Sequence, residues 1–326
     1  MEEGTYRSRL KEVGELLAQS SRCLLVSHMS PDADAFGASC GLTLALQRAG
    51  KDALCVNEGP AHPRYLKMPG VEKVQRLVPR EKWDVLLVLD CGSWQRVGES
   101  MAAQLAGISP VINLDHHVAG DSFGDLSVVR PEACSTSEIV WDLLCTMNIR
   151  PTCEAATCLL WGLMGDTGSF RFGSTSARTF EIARELVLCG ASPAAVADGL
   201  YAGKPLCQVR LEGEALAGVQ LRAAGQLAEI VVTDEMYQRL GAASEHTEEL
   251  VDSAREIADV RIAALIYRQQ NLWKVSLRVR GGDLDVSQVA RMFGGGGHRA
   301  AAAFRWRKDL EELRARLIPE LEKLLK

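Results

Sequence analysis

No apolar run in this sequence approaches the ~18 residues that a membrane-spanning helix needs. Its first residues, Met1-Glu-Glu-Gly-Thr-Tyr-Arg-Ser-Arg-Leu-Lys11, lack the apolar centre of an export signal. These two absences predict a cytoplasmic protein with no membrane partner. The ten cysteines form no C-x-x-C pair, and none lies in the last third of the chain. That spacing argues against a zinc ribbon, and buried free thiols become the better reading than a disulfide framework. Internal repeats and low-complexity tracts are also missing. The formal net charge is only −5, so the molecule as a whole does not present a nucleic-acid-coating surface.

What is present is a globular balance over more than one ordinary domain's length, with 326 residues, 47% of them hydrophobic and 24% charged. The charges are uneven. From Arg255 to Arg307 the sequence holds ten Lys or Arg against four acids, so a basic segment follows a more acidic one. Alone, such a run reads as a solvated face. Beside a Gly-rich turn it also suits a module that holds an anionic substrate.

Short β-rich apolar runs near 22–27, 52–57, 84–89 and 110–114 alternate with helical patterns, the order of a doubly wound, mostly parallel sheet. Function is then expected at the strand C-termini. A helix is predicted to begin near Phe36, others to run from Ser135-Thr-Ser-Glu138 to about Met147 and from Pro151-Thr152 toward Gly165, and a further one over 175–189. Ser192-Pro193 caps a short helix, and the stretch 191–213 otherwise shows little regular periodicity and is predicted to be a linker. The expected organisation is therefore a catalytic α/β domain over 1–190, the linker, and a smaller α/β domain over 214–326, with the active site in the cleft between them. The second domain is expected to contain strands at 226–233, 259–268 and 272–280, and helices at 247–258, near 286–293 and from about 308.

Chemistry concentrates at the ends of these runs. Asp115-His116-His117 follows Pro110-Val-Ile-Asn-Leu114, and His28-x-x-x-Asp32-x-Asp34 follows Cys23-Leu-Leu-Val-Ser27. Asp90 follows Val85-Leu-Leu-Val-Leu89, and Asp166 follows Leu159-Leu-Trp-Gly-Leu-Met-Gly165. Taken singly, Asp32 and Asp34 would pass as turn or cap residues and His28 as a hydrogen-bonded strand-end histidine. Four such clusters at four expected strand ends read together as a metal site.

His28, Asp32, Asp34, Asp90, His116 and Asp166 supply two imidazoles and four carboxylates, enough for two divalent ions with one carboxylate shared. The oxygen-rich, thiolate-free set suggests manganese first and magnesium or another divalent ion second. Each pair of carboxylates ~4 Å apart costs roughly 4 kcal/mol at an effective dielectric near 20, so convergence would require cations. Alternation along the chain should point His117 away from His116. It would then contact substrate phosphate or protonate the leaving oxygen, or else simply pair with a neighbouring acid. Arg96 would complement phosphate charge or hold its loop.

A second constellation is Phe293-Gly-Gly-Gly-Gly-His298-Arg-Ala-Ala-Ala-Ala303. Its glycines would let backbone N–H groups approach an anion, and the Ala-rich segment would supply a helix N-terminus behind them. The bland alternative is a flexible loop. Lys274, Ser276, Arg278 and Arg280 are expected on one face of the preceding strand, and Phe293, Trp273 or Trp306 could offer a shelf for a base.

The four clusters resemble motifs I to IV of the DHH phosphoesterase superfamily, and the Gly-rich segment resembles its associated DHHA1 domain. The resemblance spans nearly the whole chain and is nearest to the bacterial group that degrades nanoRNA and dephosphorylates 3′,5′-bisphosphonucleosides such as pAp. It implies one ion on His28, Asp32 and Asp90 and another on Asp34, Asp90, His116 and Asp166, with Asp90 bridging. It further implies that Asp115 orients the histidine pair and that His117, with Asp90 and Asp115, serves catalysis. Arg278, Gly295, Gly296, Gly297 and His298 would hold the substrate's end. Ala33, Ala38, Gly120, Val279 and Ala303 depart from the usual pattern without removing a metal ligand.

The expected substrate is a short single-stranded RNA or nucleotide, and a homodimer is the candidate assembly. Hydrolysis of polyphosphate, pyrophosphate or a cyclic dinucleotide is the alternative within the superfamily. A non-catalytic nucleotide sensor is the alternative outside enzymes.

Overall fold

The computed structural model describes residues 2–59, 61–117, 123–247 and 249–326. Gly120 therefore lies outside the described residues. The chain forms two compact units, Met1–Gly203 and Lys204–Lys326.

The first unit runs α1 (Glu3–Gln19), β1 (Arg22–Val26), α2 (Ala33–Arg48), β2 (Asp52–Val56), β3 (Val85–Leu89), α3 (Glu99–Leu105), β4 (Val111–Asp115), β5 (Leu126–Val129), α4 (Thr136–Thr146), α5 (Cys153–Asp166), α6 (Ala177–Leu188) and α7 (Pro193–Tyr201). Its five strands are all parallel, in the order β2-β1-β3-β4-β5. The order reverses between β1 and β3, and such a switch point opens a crevice at the strand C-termini.

These strands are continuous apolar runs because both sheet faces are covered. Cys23, Leu25, Val85, Leu87, Ile112 and Leu114 face a core shared with α1, α2, α4 and α5. Leu24, Val26, Leu86 and Val88 face a smaller one closed by Met101 and Leu105 of α3. Helices α2 and α5 approach closely through glycines. A Cβ on Gly37 would lie 2.6 Å from the Cys158 carbonyl oxygen, and one on Gly165 would lie 2.6 Å from the Ala33 Cβ.

The second unit runs α8 (Leu206–Ala217), β6 (Gln220–Arg222), β7 (Leu227–Val232), α9 (Asp234–Leu240), α10 (Leu250–Arg255), β8 (Ile262–Gln269), β9 (Leu272–Val279), α11 (Val286–Met292), β10 (Gly296–His298), β11 (Ala301–Trp306) and α12 (Leu310–Leu324). Its sheet has the order β10-β11-β9-β8-β7-β6, with only β7 and β8 parallel. One face packs on α11 and α12, the other on α8 to α10.

Two expectations need correction. Residues 159–165 are the last turns of α5, the helix expected from Pro151-Thr152, so Asp166 ends a helix and not, as the other clusters do, a strand; Gly162 and Gly165 serve close helix crossing. The short helix expected from Ser192-Pro193 is α7, and residues 206–213 begin α8. The Ala-rich segment after His298 is strand β11, not a helix. Its small residues fit under the glycines of β10, where a Cβ on Gly295 would lie 2.2 Å from the Ala303 oxygen and one on Gly297 would lie 2.4 Å from that of Ala301.

Candidate metal centre

β1 delivers His28 two residues past its end, and β3 and β4 deliver Asp90 and Asp115-His116-His117. α2 begins at Ala33, earlier than the sequence suggests, so Asp32 is its N-cap and accepts from the N–H groups of Asp34 and Ala35, both at 3.0 Å. Asp34 then sits in the first turn, fully buried. Gly162 makes the room for it, since a Cβ there would stand 2.4 Å from Asp34 Oδ1. Asp90 occupies the left-handed region at φ 55°, uncommon for a non-glycine and frequent at functional sites.

The six expected ligands converge. His28, Asp32 and Asp90 form one trio, Asp34, His116 and Asp166 a second, and Asp90, His116 and His117 a third, with the ligand atoms of each trio within 4.8 Å of one another. Asp90 belongs to two of them. Its Oδ2 lies 3.6 Å from His28 Nε2, and its Oδ1 is 3.6 Å from both His116 Nε2 and His117 Nδ1. His116 Nε2 is 3.1 Å from Asp166 Oδ2.

His117 does not turn away from His116. The alternation of β4 stops at Asp115, and the two rings sit 4.8 Å apart at 62°. Asp115 Oδ1 accepts from His117 Nδ1 at 2.7 Å and from the His116 backbone N–H at 2.9 Å. Asp115 thus orients one ring directly and the other through the main chain. His116 Nδ1 lies 3.3 Å from the Ala133 carbonyl oxygen. A proton held there leaves Nε2 for an ion, the arrangement common to metal-binding histidines.

The electrostatics are those of crowded carboxylates. Burial, then Asp166 and Asp90, pushes Asp34 well above the ordinary carboxylate range. Burial also lifts Asp166 to about 6, against the hydrogen bond from His116. Asp32 is exposed on its outer side, yet desolvation of its carboxylate and the charge of Asp90 raise it. Burial would lower His116, but its bond to Asp166 and the surrounding carboxylates raise it to about 10. Asp90 goes the other way: burial works to raise it, while His28, His116 and His117 together bring it down to about 2. This donor set, with several carboxylates resisting ionisation around a shared one, fits a pair of divalent cations.

Other expected residues behave differently. The Arg96 side chain is exposed, and its carbonyl accepts from Met29 N–H at 2.8 Å, tying its turn to the loop after His28. Cys91 is buried, gives its thiol to the Ser93 carbonyl at 3.1 Å and has its pKa pushed up to about 12, mainly by burial. In the second unit, Arg278, Ala301 and His298 are cross-strand neighbours on β9, β11 and β10, so Arg278 and His298 share a sheet face. The N–H of Gly295 is already given to Ala290 O at 2.9 Å. Phe293 stacks on Phe304 at 4.6 Å and meets Trp306 edge-on, while Trp273 is in the core.

The sequence reading missed the part played by Thr136 and Ser137. Their backbone N–H groups donate to the two carboxylate oxygens of Asp34, at 2.6 and 3.0 Å. The Ser-Thr-Ser-Glu capping box marked this helix start, but gave no sign of which distant carboxylate it would grip.

Residues 22–163 match the family model described as DHH family, N-terminal domain, and residues 218–326 match the DHHA1 domain. The chain is 33% identical over 92% of its length to a Thermus thermophilus protein named bifunctional oligoribonuclease and PAP phosphatase NrnA, covering 89% of that protein. The chain belongs to the DHH/DHHA1 phosphoesterase family. A Bacillus subtilis protein of the same name is 26% identical, with 93% of this chain and 94% of that protein covered. Among solved structures, an exopolyphosphatase-related protein from Bacteroides fragilis superposes with a TM-score of 0.90 at 25% identity, covering 97% of this chain and 96% of that one. Membership makes this DHH/DHHA1 protein a metal-dependent hydrolase of phosphoester bonds. Among the described residues no helix is long and apolar enough to cross a membrane.

Proposed function

We propose that this DHH/DHHA1 enzyme hydrolyses very short oligoribonucleotides to mononucleotides and removes phosphate from 3′,5′-bisphosphonucleosides such as pAp. The observation that carries the reading is Asp90, which stands between His28 on one side and the two histidines that follow β4 on the other. His28, Asp32 and Asp90 would hold one ion, and Asp34, Asp90, His116 and Asp166 the other. Bound there, two divalent ions, manganese before magnesium, supply Lewis-acid polarisation of the phosphoryl group and activation of the attacking water.

The chain's own groups do the rest. Asp115 keeps a proton on His117 Nδ1, which assigns Nε2 to the substrate as a contact to phosphate or a proton donor to the leaving oxygen. Arg278 and His298, aligned on one sheet face, are assigned to the substrate's phosphate end, with Gly295, Gly296 and Gly297 allowing close approach of the backbone. Since the Gly295 N–H is already engaged, its contribution is the absence of a side chain. Arg96 adds exposed positive charge near the Asp90 turn. The substrate class is that named for the relatives matched over most of their length, and the cytoplasm is its expected place of action.

The test incubates the purified protein with Mn2+ and, in parallel, a 5′-labelled RNA dinucleotide, a 24-mer, pAp and polyphosphate, beside an Asp115→Ala/His116→Ala control. Rapid turnover of the dinucleotide and pAp, abolished in the control, is expected. Turnover of polyphosphate alone would move the enzyme toward the activity in the name of its Bacteroides structural neighbour. Binding without turnover would make it a sensor.

A further inference from the structure

Thr136 touches both halves of the ligand set and belongs to neither. It is fully buried at the first position of α4. Its N–H donates to Asp34 Oδ2 at 2.6 Å, and its Oγ1 donates to Asp90 Oδ1 at 3.0 Å. A threonine hydroxyl near a helix start ordinarily serves its own backbone. Here that service is done by others: Ser135 Oγ accepts from the Glu138 N–H at 3.2 Å, and Glu138 Oε2 accepts from the Cys134 N–H at 3.1 Å. The Thr136 hydroxyl is thereby committed to a carboxylate 46 residues away.

Asp90 is the residue most in need of such a partner. Its backbone is left-handed, and its carboxylate must face two groups of ligands at once. Donation from Thr136 fixes the rotation of that carboxylate while leaving Oδ2 and a second lone pair on Oδ1 for ions. The same residue's N–H, with that of Ser137 at 3.0 Å, fixes both oxygens of Asp34.

We propose that Thr136 is a positioning residue that sets the geometry of the two ion sites relative to one another, through its hydroxyl on Asp90 and its backbone on Asp34. This rests on the metal-site reading proposed above. Valine at this position would keep the size and the backbone N–H but lose the donor. Serine would keep the donor and lose only a methyl group.

The deciding experiment strips the full-length protein with EDTA and titrates Mn2+, reading bound ion by electron paramagnetic resonance without substrate. Thr136→Val is expected to bind Mn2+ about 10- to 100-fold more weakly, and Thr136→Ser close to the parent. At saturating Mn2+ the KM for substrate should be unchanged in both. Parental Mn2+ affinity in Thr136→Val would overturn the proposal. So would equal weakening in Thr136→Ser, which would assign the effect to packing of the methyl group. Should Thr136→Val fail to fold, Thr136→Ala takes its place, with the same expected loss and the same overturning result. A parent that binds no Mn2+ would sink the metal-site reading itself, whereas a parent that binds and a valine variant that matches it would sink only this inference.

Discussion

Each unit buries carboxylates, but neutralises them differently. In the second unit Glu229 on β7 is completely enclosed and is met by two guanidinium groups, Arg222 at 2.8 Å and Arg314 at 2.7 Å. In the first unit Asp34 and Asp90 are as deeply buried, and they face histidines, backbone N–H groups and one another. A fixed guanidinium is a permanent counter-charge that fills the space beside its acid. Imidazoles and a helix N-terminus neutralise only part of the charge and leave coordination directions open. The difference sets Glu229, a strut, apart from the Asp90 cluster, whose groups could hold ions taken from solution.

The sharpest way to break this contrast is Arg314→Met. It leaves Glu229 buried with one partner removed and should destabilise the chain by about 3 kcal/mol in urea unfolding. Added Mn2+ should not repair the loss, whereas pairing the change with Glu229→Gln should recover most of it. A loss reversed by metal would mean that the two clusters are not distinct in kind.

Gly162→Ala tests the other side. The new methyl group would stand 2.4 Å from Asp34 Oδ1 and 2.0 Å from Ser137 Oγ. Overpacking of this kind should cost about 2 kcal/mol and raise the Mn2+ concentration needed for half-maximal turnover. An unchanged Mn2+ requirement would show that Asp34 is not held where the ions bind.

A further test is in pH. Asp166, raised by burial to about 6, and His116, raised to about 10 against its burial by Asp166 and the neighbouring carboxylates, both hold protons more tightly in the folded chain than when unfolded. Each contribution to metal-free stability is therefore full at low pH. That of Asp166 is lost between about 4 and 6, and that of His116 from about 6.5 toward 10, at about 1.4 kcal/mol per pH unit for each full proton. Asp90, lowered to about 2 by its three histidines despite burial, acts in the opposite sense only below this range. Melting in EDTA should thus be higher at pH 5.5 than at pH 8, and the gain on adding Mn2+ larger at pH 8. Equal gains at both pH values would separate ion binding from this cluster.

Much of this was legible in the chain because strands covered on both faces must be apolar throughout. The runs at 22–27, 84–89 and 110–114 could be read as buried parallel strands, and the polar residues that ended them as a site. Asp166 was found for the wrong local reason. It ends a helix whose glycines answer to α2 rather than to a strand pattern. The segment after His298 was misread because alanine favours helices, while the preference of Ala301–Ala303 is overruled by pairing with β9 and by the room that Gly295 and Gly297 leave.

By itself the sequence picked out the residues assigned to the ion sites, since ligand-type side chains at the ends of apolar runs need no partner to be recognised. Only the tertiary structure decided that Asp90 lies beside His28, His116 and His117 at once, that His117 faces the same site as His116, and that Thr136 grips Asp34 and Asp90 together. Those are contacts across 26 to 102 residues of chain, fixed by how β1, β3, β4, α2 and α4 pack. Local pattern carries no information about pairings at that separation.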